Sequence, residues 1–356
     1  MKSAGGLLSI GPLELLLRSR ALALLVALAG ASPAAAAELE AFASVEAGFA
    51  GGCIFGPVFL PGGNPYSGVY GIPTNSTFQD CGFSADSGVQ DVKQVTGPVG
   101  ATWTASDGQF SGNAQASASY GGVGASASGS STRSGNSLGD AAGAYGVFTD
   151  AITLTSPTHA NGTAGFVAFV FDVDGQVEVT NGAFDPGFAQ LLGHADAFLA
   201  LSLNGALANV FRGDVTLEGP QMPSTYPPSA GFTETSGATG WSLAGADTVS
   251  TAGDPRAITF GTPFALTVGL LAEAYPQTES ASVGTASVDF LTTARLTQVL
   301  VYDAAQHPVS DFQLTSESGT LYAPEPPGAT AAIAALGVLA LHARVSPSAA
   351  RTTRPL

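Results

Sequence analysis

The sequence predicts an all-β fold over residues 38–322, an antiparallel β sandwich of jelly-roll type. Apolar and polar residues alternate through much of this region, as they do in strands with one buried face. Breaks rich in Pro, Gly and Asn recur at PTHANG, NGAFDPG, EGPQMPSTYPPSAG and AAQHPVS. Long amphipathic helical patterns do not occur between these breaks. Strands separated by such turns are typical of sandwiches and jelly rolls.

Three segments show the alternation most clearly. Residues 195–203 are apolar at every second position, and residues 258–270 repeat the pattern across an interruption at Gly261-Thr-Pro263, which is suited to a bulge or bend. Residues 288–302 form the longest segment. One of its faces is predicted to carry Val288, Phe290, Ala294, Leu296, Leu300 and Tyr302, and the other Asp289, Thr293, Arg295 and Thr297.

Two further segments are predicted to be strands for other reasons. Residues 166–173, FVAFVFDV, are apolar on both faces and indicate a central strand, which Asp174-Gly175 would end in a hairpin turn. Residues 104–140 alternate Ala with Ser, so their strands bury little apolar area and depend on their neighbours. We expect a Ser/Gly-rich loop near residues 129–139.

Composition indicates a folded chain with few charges. Of its 356 residues, 45% are hydrophobic, enough to bury a core, but only 11% are charged, against roughly 25% in an average soluble protein. Residues 38–323 contain five basic and 25 acidic residues, a formal charge of 5 − 25 = −20. A nucleic-acid partner is not expected, because phosphate binding requires a basic patch.

The N-terminal residues 1–37 have the order of a secretory signal peptide. Arg18 and Arg20 precede the apolar run ALALLVALAGA, and small residues at Ala35 and Ala37 stand before Glu38. The run of eleven apolar residues is too short for a stable membrane span, which needs about 20. We therefore expect a signal helix that directs export of the chain.

The C-terminal residues 323–356 contain an apolar segment of sixteen uncharged residues, 328–343. Its Ala, Leu, Ile and Val content favours a single transmembrane helix, although at 1.5 Å per residue it reaches only about 24 Å. The residues that follow include Arg344, Arg351 and Arg354. The positive-inside rule then places this basic end in the cytoplasm and the acidic domain outside.

The order of Pro324-Glu325-Pro326, a short apolar helix and a basic terminus beginning at Arg344 resembles a PEP-CTERM sorting signal. Residues 286–322 also resemble the strand, turn and closing strand that commonly precede it. The resemblance implies recognition of the tail by an exosortase, a membrane protease of Gram-negative bacteria. It also implies delivery of the exported part to the cell surface or the extracellular matrix. A typical tail has several arginines directly after the helix, whereas here Arg344 stands alone before VSPSAA.

Cys53 and Cys81 are the two cysteines of the chain. An even number of cysteines in an exported chain favours a disulfide, which would stabilise the Pro/Gly-rich stretch between them by roughly 3 kcal/mol. A metal site is the alternative, but two thiols without nearby histidines do not complete a tetrahedral site. We expect no metal and no cofactor.

Catalytic motifs receive little support from their context. Ser137 lies in a G-x-S-x-G pattern, but the sequence around it is not the strand and helix that a nucleophile elbow requires. His159 and His307 fall in Pro-containing turns, and His194 is expected to face solvent or a satisfied polar pocket. No catalytic residue is therefore assigned.

The acidic residues allow two further interpretations. Asp172, Asp174 and Glu178 could contribute to a calcium site, but a strand ending in a turn explains DVDG equally simply. Paired carboxylates for glycoside cleavage are possible among the 25 acids, yet the sequence nominates no pair.

These observations predict a non-enzymatic, exported protein of the cell envelope or extracellular matrix. One alternative is a carbohydrate-binding or other ligand-binding sandwich, because such domains present aromatic residues on a strand face or loop. The other alternative is a secreted hydrolase. The aromatic candidates for sugar binding are Trp103, Tyr120, Tyr226 and Trp241.

Overall fold

The computed structural model describes residues 37–46, 88–133, 140–181, 191–218, 224–225, 231–237, 239–276 and 283–322. These residues form sixteen strands and no helix. In chain order the strands are β1 Glu38–Glu46, β2 Gly88–Gln94, β3 Val99–Ser106, β4 Phe110–Ser119, β5 Gly122–Ser131, β6 Ala141–Thr155, β7 Ala164–Asn181, β8 Leu191–Leu203, β9 Ala206–Glu218, β10 Ser224–Thr225, β11 Phe232–Ser236, β12 Gly240–Ser250, β13 Arg256–Thr259, β14 Phe264–Pro276, β15 Gly284–Asp303 and β16 Gln313–Ser316.

The strands form two antiparallel eight-stranded sheets. Sheet A has the order β10-β9-β8-β14-β6-β1-β2, with β16 also pairing with β6. Sheet B has the order β11-β12-β7-β15-β5-β4-β3, with β13 also pairing with β7. The inner faces of the two sheets contribute to one hydrophobic core. The predicted all-β, antiparallel, sandwich-like class is therefore confirmed.

The core follows the predicted alternation in β8. Ala195, Ala197, Leu199, Leu201 and Leu203 are all buried, with exposed fractions of 3% or less. Fully buried phenylalanines fill the space around these smaller residues, and burial of each such side chain contributes roughly 2 kcal/mol or more. They are Phe110, Phe148, Phe169, Phe171, Phe260 and Phe290.

The turn predicted at Asp174-Gly175 is wrong. The strand β7 continues without a break through both residues to Asn181, and it lies between β12 and β15 in sheet B. A Cβ atom on Gly175 would overlap the Asp289 carbonyl oxygen and lie 2.6 Å from the Phe290 ring. The glycine therefore permits close approach to β15, a role that local sequence does not distinguish from a turn.

The pattern predicted for residues 288–302 holds only for the first part of β15. Its pairing with β5 shifts between Phe290 and Ala294, and its pairing with β7 shifts between Leu296 and Gln298. After these irregularities the buried residues are Val299 and Val301, and Leu300 and Tyr302 are half-buried. Each extra residue in a strand reverses the face of those that follow.

The Ala/Ser-rich region forms the regular strands β4 and β5, as predicted. The strand β5 extends to Ser131, so the predicted loop at 129–139 begins too early. A Cβ atom on Gly129 would lie 2.7 Å from the Pro276 side chain. This glycine is therefore a packing position within a strand.

Glycines also permit close approach of backbones, at one position between the two sheets and at another within sheet B. A Cβ atom on Gly146, in β6, would overlap the Ser117 carbonyl oxygen of β4. Within sheet B, a Cβ atom on Gly124, in β5, would overlap the Leu291 carbonyl oxygen of the adjacent strand β15. Neither position can carry a side chain without moving the backbone that faces it.

The last described residue, Tyr322, is fixed by a buried carboxylate. Asp150, in β6, has no exposed surface, and it accepts hydrogen bonds from the Tyr322 hydroxyl at 2.6 Å and the Ser318 amide at 3.1 Å. The Ser318 hydroxyl donates to the same carboxylate. Burial, together with Asp150, raises the pKa of Tyr322 above its ordinary value, which keeps the hydroxyl protonated.

We expect Gly146→Ala to lower the free energy of unfolding by about 2 kcal/mol or more, because overpacking a closed interface moves backbone as well as side chains. Urea unfolding followed by circular dichroism measures this change. Gly253→Ala is the matched control, since a Cβ atom there meets nothing within 4 Å. Equal stability of the two variants would contradict the assigned role of Gly146.

We expect Tyr322→Phe to lower the free energy of unfolding by about 1–3 kcal/mol, because Asp150 loses a donor while remaining buried. The same unfolding measurement applies. Tyr120→Phe is the control, since the Tyr120 hydroxyl donates to the carbonyl oxygen of Val95, an exposed residue. A loss no greater than that of the control would show that the Tyr322 hydroxyl does not fix the end of the domain.

Candidate functional site

Several residues singled out in the sequence lie outside the described residues. These are the predicted sorting residues Pro324, Glu325, Pro326 and Arg344, the two cysteines Cys53 and Cys81, Ser137 of the G-x-S-x-G pattern, and Tyr226.

Of the three histidines considered in the sequence analysis, two occupy the turns predicted for them. The His159 ring stacks on Phe260, with 5.2 Å between ring centroids, and its Nδ1 lies 3.0 Å from the Thr158 hydroxyl. His307 is exposed, and its Nδ1 lies 3.3 Å from an Asp303 carboxylate oxygen. Both histidines therefore have local structural partners.

The third histidine belongs to a group of ionisable side chains on sheet A, which we call the carboxyl cluster. These side chains alternate with core residues such as Ala195 and Ala274, so they point to the face of sheet A opposite the core. In the strand register, Asp196 lies opposite both Asp214 and Glu273, and His194 lies opposite Tyr275. The cluster consists of His194 and Asp196 on β8, Arg212 and Asp214 on β9, and Glu273 and Tyr275 on β14.

Two carboxyl groups at the centre of the cluster are buried, and each has at least one oxygen atom without a hydrogen-bond partner among the described residues. Asp196 is 1% exposed and Glu273 is 5% exposed. Within the described part of the chain, neither carboxylate oxygen of Asp196 has a hydrogen-bond partner, and neither does Oε1 of Glu273. A buried acceptor without a donor costs about 1–3 kcal/mol, and more if it is charged. The fold therefore carries a cost at this position.

This cost is reduced if one of the two groups is protonated. Burial raises the pKa of Glu273 well above its ordinary value, and the negative charge of Asp196 raises it further. The Tyr275 hydroxyl acts in the opposite direction. Two adjacent carboxyl groups in a site of low polarity cannot both ionise readily, so we expect Glu273 to hold the proton.

His194 lies between the acidic groups of β8 and β9. Its Nε2 is 3.8 Å from Asp196 and its Nδ1 is 3.8 Å from Asp214, distances of ion pairs rather than of hydrogen bonds. Burial lowers the pKa of His194, but Asp196 and Asp214 outweigh burial and the opposing charge of Arg212, so the pKa is raised. Arg212 itself donates to Asp214 at 2.6 Å. His194 therefore lies in a buried pocket and does not face solvent.

The carboxyl cluster has the groups that acid–base chemistry requires, namely two adjacent carboxyl groups and an imidazole. Their burial means that a substrate could not reach Asp196 or Glu273 in this conformation. The arrangement therefore acts on the stability of the protein and on its dependence on pH.

A signal for the carboxyl cluster is present in the sequence, although the cluster was not among the predicted sites. The segments GHADAF, FRGDV and AEAY each place ionisable residues at every second position of an apolar strand. This pattern predicts one polar line per strand on the face away from the core. It does not predict that β8, β9 and β14 are neighbours, because β14 follows β9 only after four other strands.

The outer face of sheet B has a different character, and we call it the hydroxyl face. It displays short side chains with hydroxyl or amide groups across six neighbouring strands, from β12 to β3. Directly paired residues form three rows. The rows are Gly240-Thr180-Thr285-Ser130-Ser111-Ser106, Ser242-Glu178-Ser287-Ser128-Asn113-Thr104, and Ala244-Gln176-Asp289-Ser126-Gln115-Thr102.

Two grooves cross this side of sheet B. One, of about 430 Å³, is lined by β4, β5 and β15 and includes Ser128, Thr285 and Glu178. The other, of about 750 Å³, includes Asp172, Asp174 and Arg295. Because adjacent strands lie about 4.8 Å apart and alternate residues about 6.8 Å apart, the rows form a regular grid of polar groups.

The residues considered for calcium lie together on this face. Asp172, Asp174 and Glu178 occupy alternate outward positions of β7. Asp172 accepts a hydrogen bond from the Thr248 hydroxyl at 2.8 Å, and Glu178 accepts one from the Gln176 amide at 3.1 Å. Within the described residues, no group of three or more His, Cys, Asp or Glu side chains has the geometry to hold a metal ion.

The aromatic candidates for sugar binding are packing residues where the structure describes them. Trp103, Tyr120 and Trp241 are partly buried against the hydrophobic core. Their rings therefore do not form an exposed aromatic platform, and the hydroxyl face becomes the stronger candidate surface for a ligand.

Comparison of the chain with protein-family models, with curated proteins and with solved structures gave no match. Where the structure describes the chain, it contains no helix with the length and apolarity needed to span a membrane.

We expect Glu273→Gln to stabilise the protein at neutral and alkaline pH, by about 1 kcal/mol or more, and to have little effect in acid. A carboxyl group with a raised pKa in the folded state loses stability as pH rises through that pKa, whereas glutamine has no proton to lose. The raised pKa of His194 acts in the same sense. Its contribution to stability is present at pH values below the ordinary pKa of histidine and is lost as the pH rises through the raised pKa of the folded state.

Urea unfolding at a series of pH values measures the difference between Glu273→Gln and the unaltered protein. Glu317→Gln, at an exposed position, is the matched control. If both variants follow the pH profile of the unaltered protein in parallel, Glu273 does not carry the shared proton.

Proposed function

We propose that this protein is an exported, non-enzymatic β-sandwich protein of the cell envelope or extracellular matrix. The observation that carries the proposal is the hydroxyl face, a grid of hydroxyl and amide groups across six strands. Such a surface interacts with hydrated polymer by many weak hydrogen bonds and offers little apolar area for aggregation. The low charged fraction of 11% agrees with this composition.

The two ends of the chain provide the route in this proposal. Residues 1–37 direct export and are removed, and residues 323–356 hold the chain in the membrane until an exosortase-type protease acts near Pro324-Glu325-Pro326. Arg344 marks the cytoplasmic end of the apolar helix 328–343. The burial of Tyr322 supports this division, because the packed domain extends to the residue before the tail.

In this proposal the β sandwich is a jelly roll, with a signal helix before it in the chain and a transmembrane helix after it. The sheet orders support it, since consecutive strands such as β14 and β15 lie in different sheets. Export to an oxidising compartment also favours a disulfide between Cys53 and Cys81.

A second candidate function is binding of carbohydrate, and the grooves of the hydroxyl face favour it. Sugar hydroxyls are both donors and acceptors, and Ser, Thr and Asn side chains match them in both roles. The groove lined by Ser128, Thr285 and Glu178 is long enough to cross four strands. This candidate is compatible with the first, because a matrix protein can be retained by the polymer around it.

We expect protein recovered from its native host to lie in the surface or extracellular fraction, with a mature N-terminus near Glu38 and without residues 328–356. Mass spectrometry of both termini in each fraction measures this. Glu325→Ala should leave the tail attached and keep the chain in the membrane fraction, whereas Glu317→Ala should behave like the unaltered protein. Recovery of the intact chain from the cell interior would contradict the proposal.

A further inference from the structure

The hydroxyl face carries an acidic line that distinguishes it from a neutral polar surface. The outward positions of β7 are, in order, Asp172, Asp174, Gln176, Glu178 and Thr180. Asp172, Asp174 and Gln176 are exposed, and Glu178 and Thr180 are half-buried. At about 6.8 Å between alternate residues, the three carboxylates extend over about 20 Å of the face.

The neighbouring strands modify this line at defined points. Asp289 of β15 lies opposite Gln176 and adds a fourth carboxylate to the face. Arg295 lies opposite Asp172 and contributes a positive charge at one end. From Asp174 to Glu178 the face therefore combines negative charge with the hydroxyl rows.

The grooves on this face give both kinds of group access to one ligand. The groove containing Glu178 is otherwise lined by Ser, Thr, Asn, Gly and Ala residues of β4, β5 and β15. The groove containing Asp172 and Asp174 continues toward β12 and also includes Asp247 and Thr248. A ligand lying across the face would meet carboxylates along β7 and hydroxyls on the strands beside it.

These features select a class of ligand. Anionic polymers are repelled by the acidic line and by the formal charge of −20 over residues 38–323, which follows from five basic and 25 acidic residues. Apolar partners find no large apolar side chain in the three rows. A polymer that carries both hydroxyl and ammonium groups complements the whole face.

We propose that the outer face of sheet B binds a polysaccharide with free amino groups, in which the ammonium groups pair with Asp174 and Glu178 while the sugar hydroxyls bond to the rows around Ser128 and Ser287. This inference rests on the proposed export to the cell surface and names the polymer that would be met there. The carboxylates determine the preference for amino sugars, and the hydroxyl rows supply contacts common to all sugars.

The test uses the full chain and chito-oligosaccharides of a single length, either fully de-N-acetylated or fully N-acetylated, in mildly acidic buffer. Calorimetry or biosensor binding should show a preference for the de-N-acetylated form that weakens as salt is added. The double variant Asp174→Asn with Glu178→Gln should lose about tenfold in affinity for it. Asp254→Asn with Glu317→Gln removes the same charge from exposed positions elsewhere and should bind like the unaltered protein.

A third variant, Ser287→Arg, tests the site by adding a positive charge to it. Ser287 lies directly opposite Glu178, so the new guanidinium should pair with that carboxylate, repel ammonium groups and abolish binding. Circular dichroism confirms that each variant is folded.

Equal affinity for both oligosaccharides, or equal losses in the two double variants, would overturn the proposal. Binding of polylysine but of neither oligosaccharide would also overturn it, because it would assign the face to a basic protein. Any of these results leaves the localisation and the mature termini unchanged, so failure at this site is distinguishable from failure of the proposed export.

Discussion

The close approach of the two sheets over glycine is the constraint on which the rest of the structure depends. At Gly146, in sheet A, the backbone faces the Ser117 and Gly124 carbonyl oxygens of sheet B, with no room for a Cβ atom. Around them, β4 and β5 face the core with alanines such as Ala114, Ala116 and Ala125. Alanine buries little apolar area, so these strands gain stability mainly from tight packing and from their ladders of backbone hydrogen bonds.

This constraint explains why the polar residues differ between the two sheets. Most inward positions carry small or apolar side chains, so most polar residues of the strands point outward, with Asp150 of β6 as an exception. In sheet B the residues of the three rows are exposed or half-buried, and most have hydroxyl or amide groups, which water or a ligand can satisfy. In sheet A the corresponding line includes Asp196 and Glu273, which are buried and lack sufficient donors. A shared proton reduces that cost but ties stability to pH. The two outer faces therefore have different consequences, one for binding and one for stability.

Much of the fold could be predicted from the sequence because strand alternation is a local property. The faces of β8 and the strands of the Ala/Ser-rich region follow directly from it. Features that depend on a neighbouring strand could not be predicted in this way. Gly175 has the sequence of a turn, but the approach of β15 makes it part of a strand. The shift of phase within β15 likewise arises from its pairing with β5 and β7.

The same distinction applies to the candidate sites. Asp172, Asp174 and Glu178 can be grouped from sequence because they lie on a single strand, whereas the carboxyl cluster and the hydroxyl rows each require a strand order that joins distant segments. Single hydroxyl contacts contribute only about 1 kcal/mol each, so a polymer is held by their number and spacing rather than by one anchor. A sheet fixes that spacing better than loops do, because the strand register sets every row at once. Tight packing of small residues, which keeps this register, is therefore also what would give the outer face its capacity for repetitive recognition.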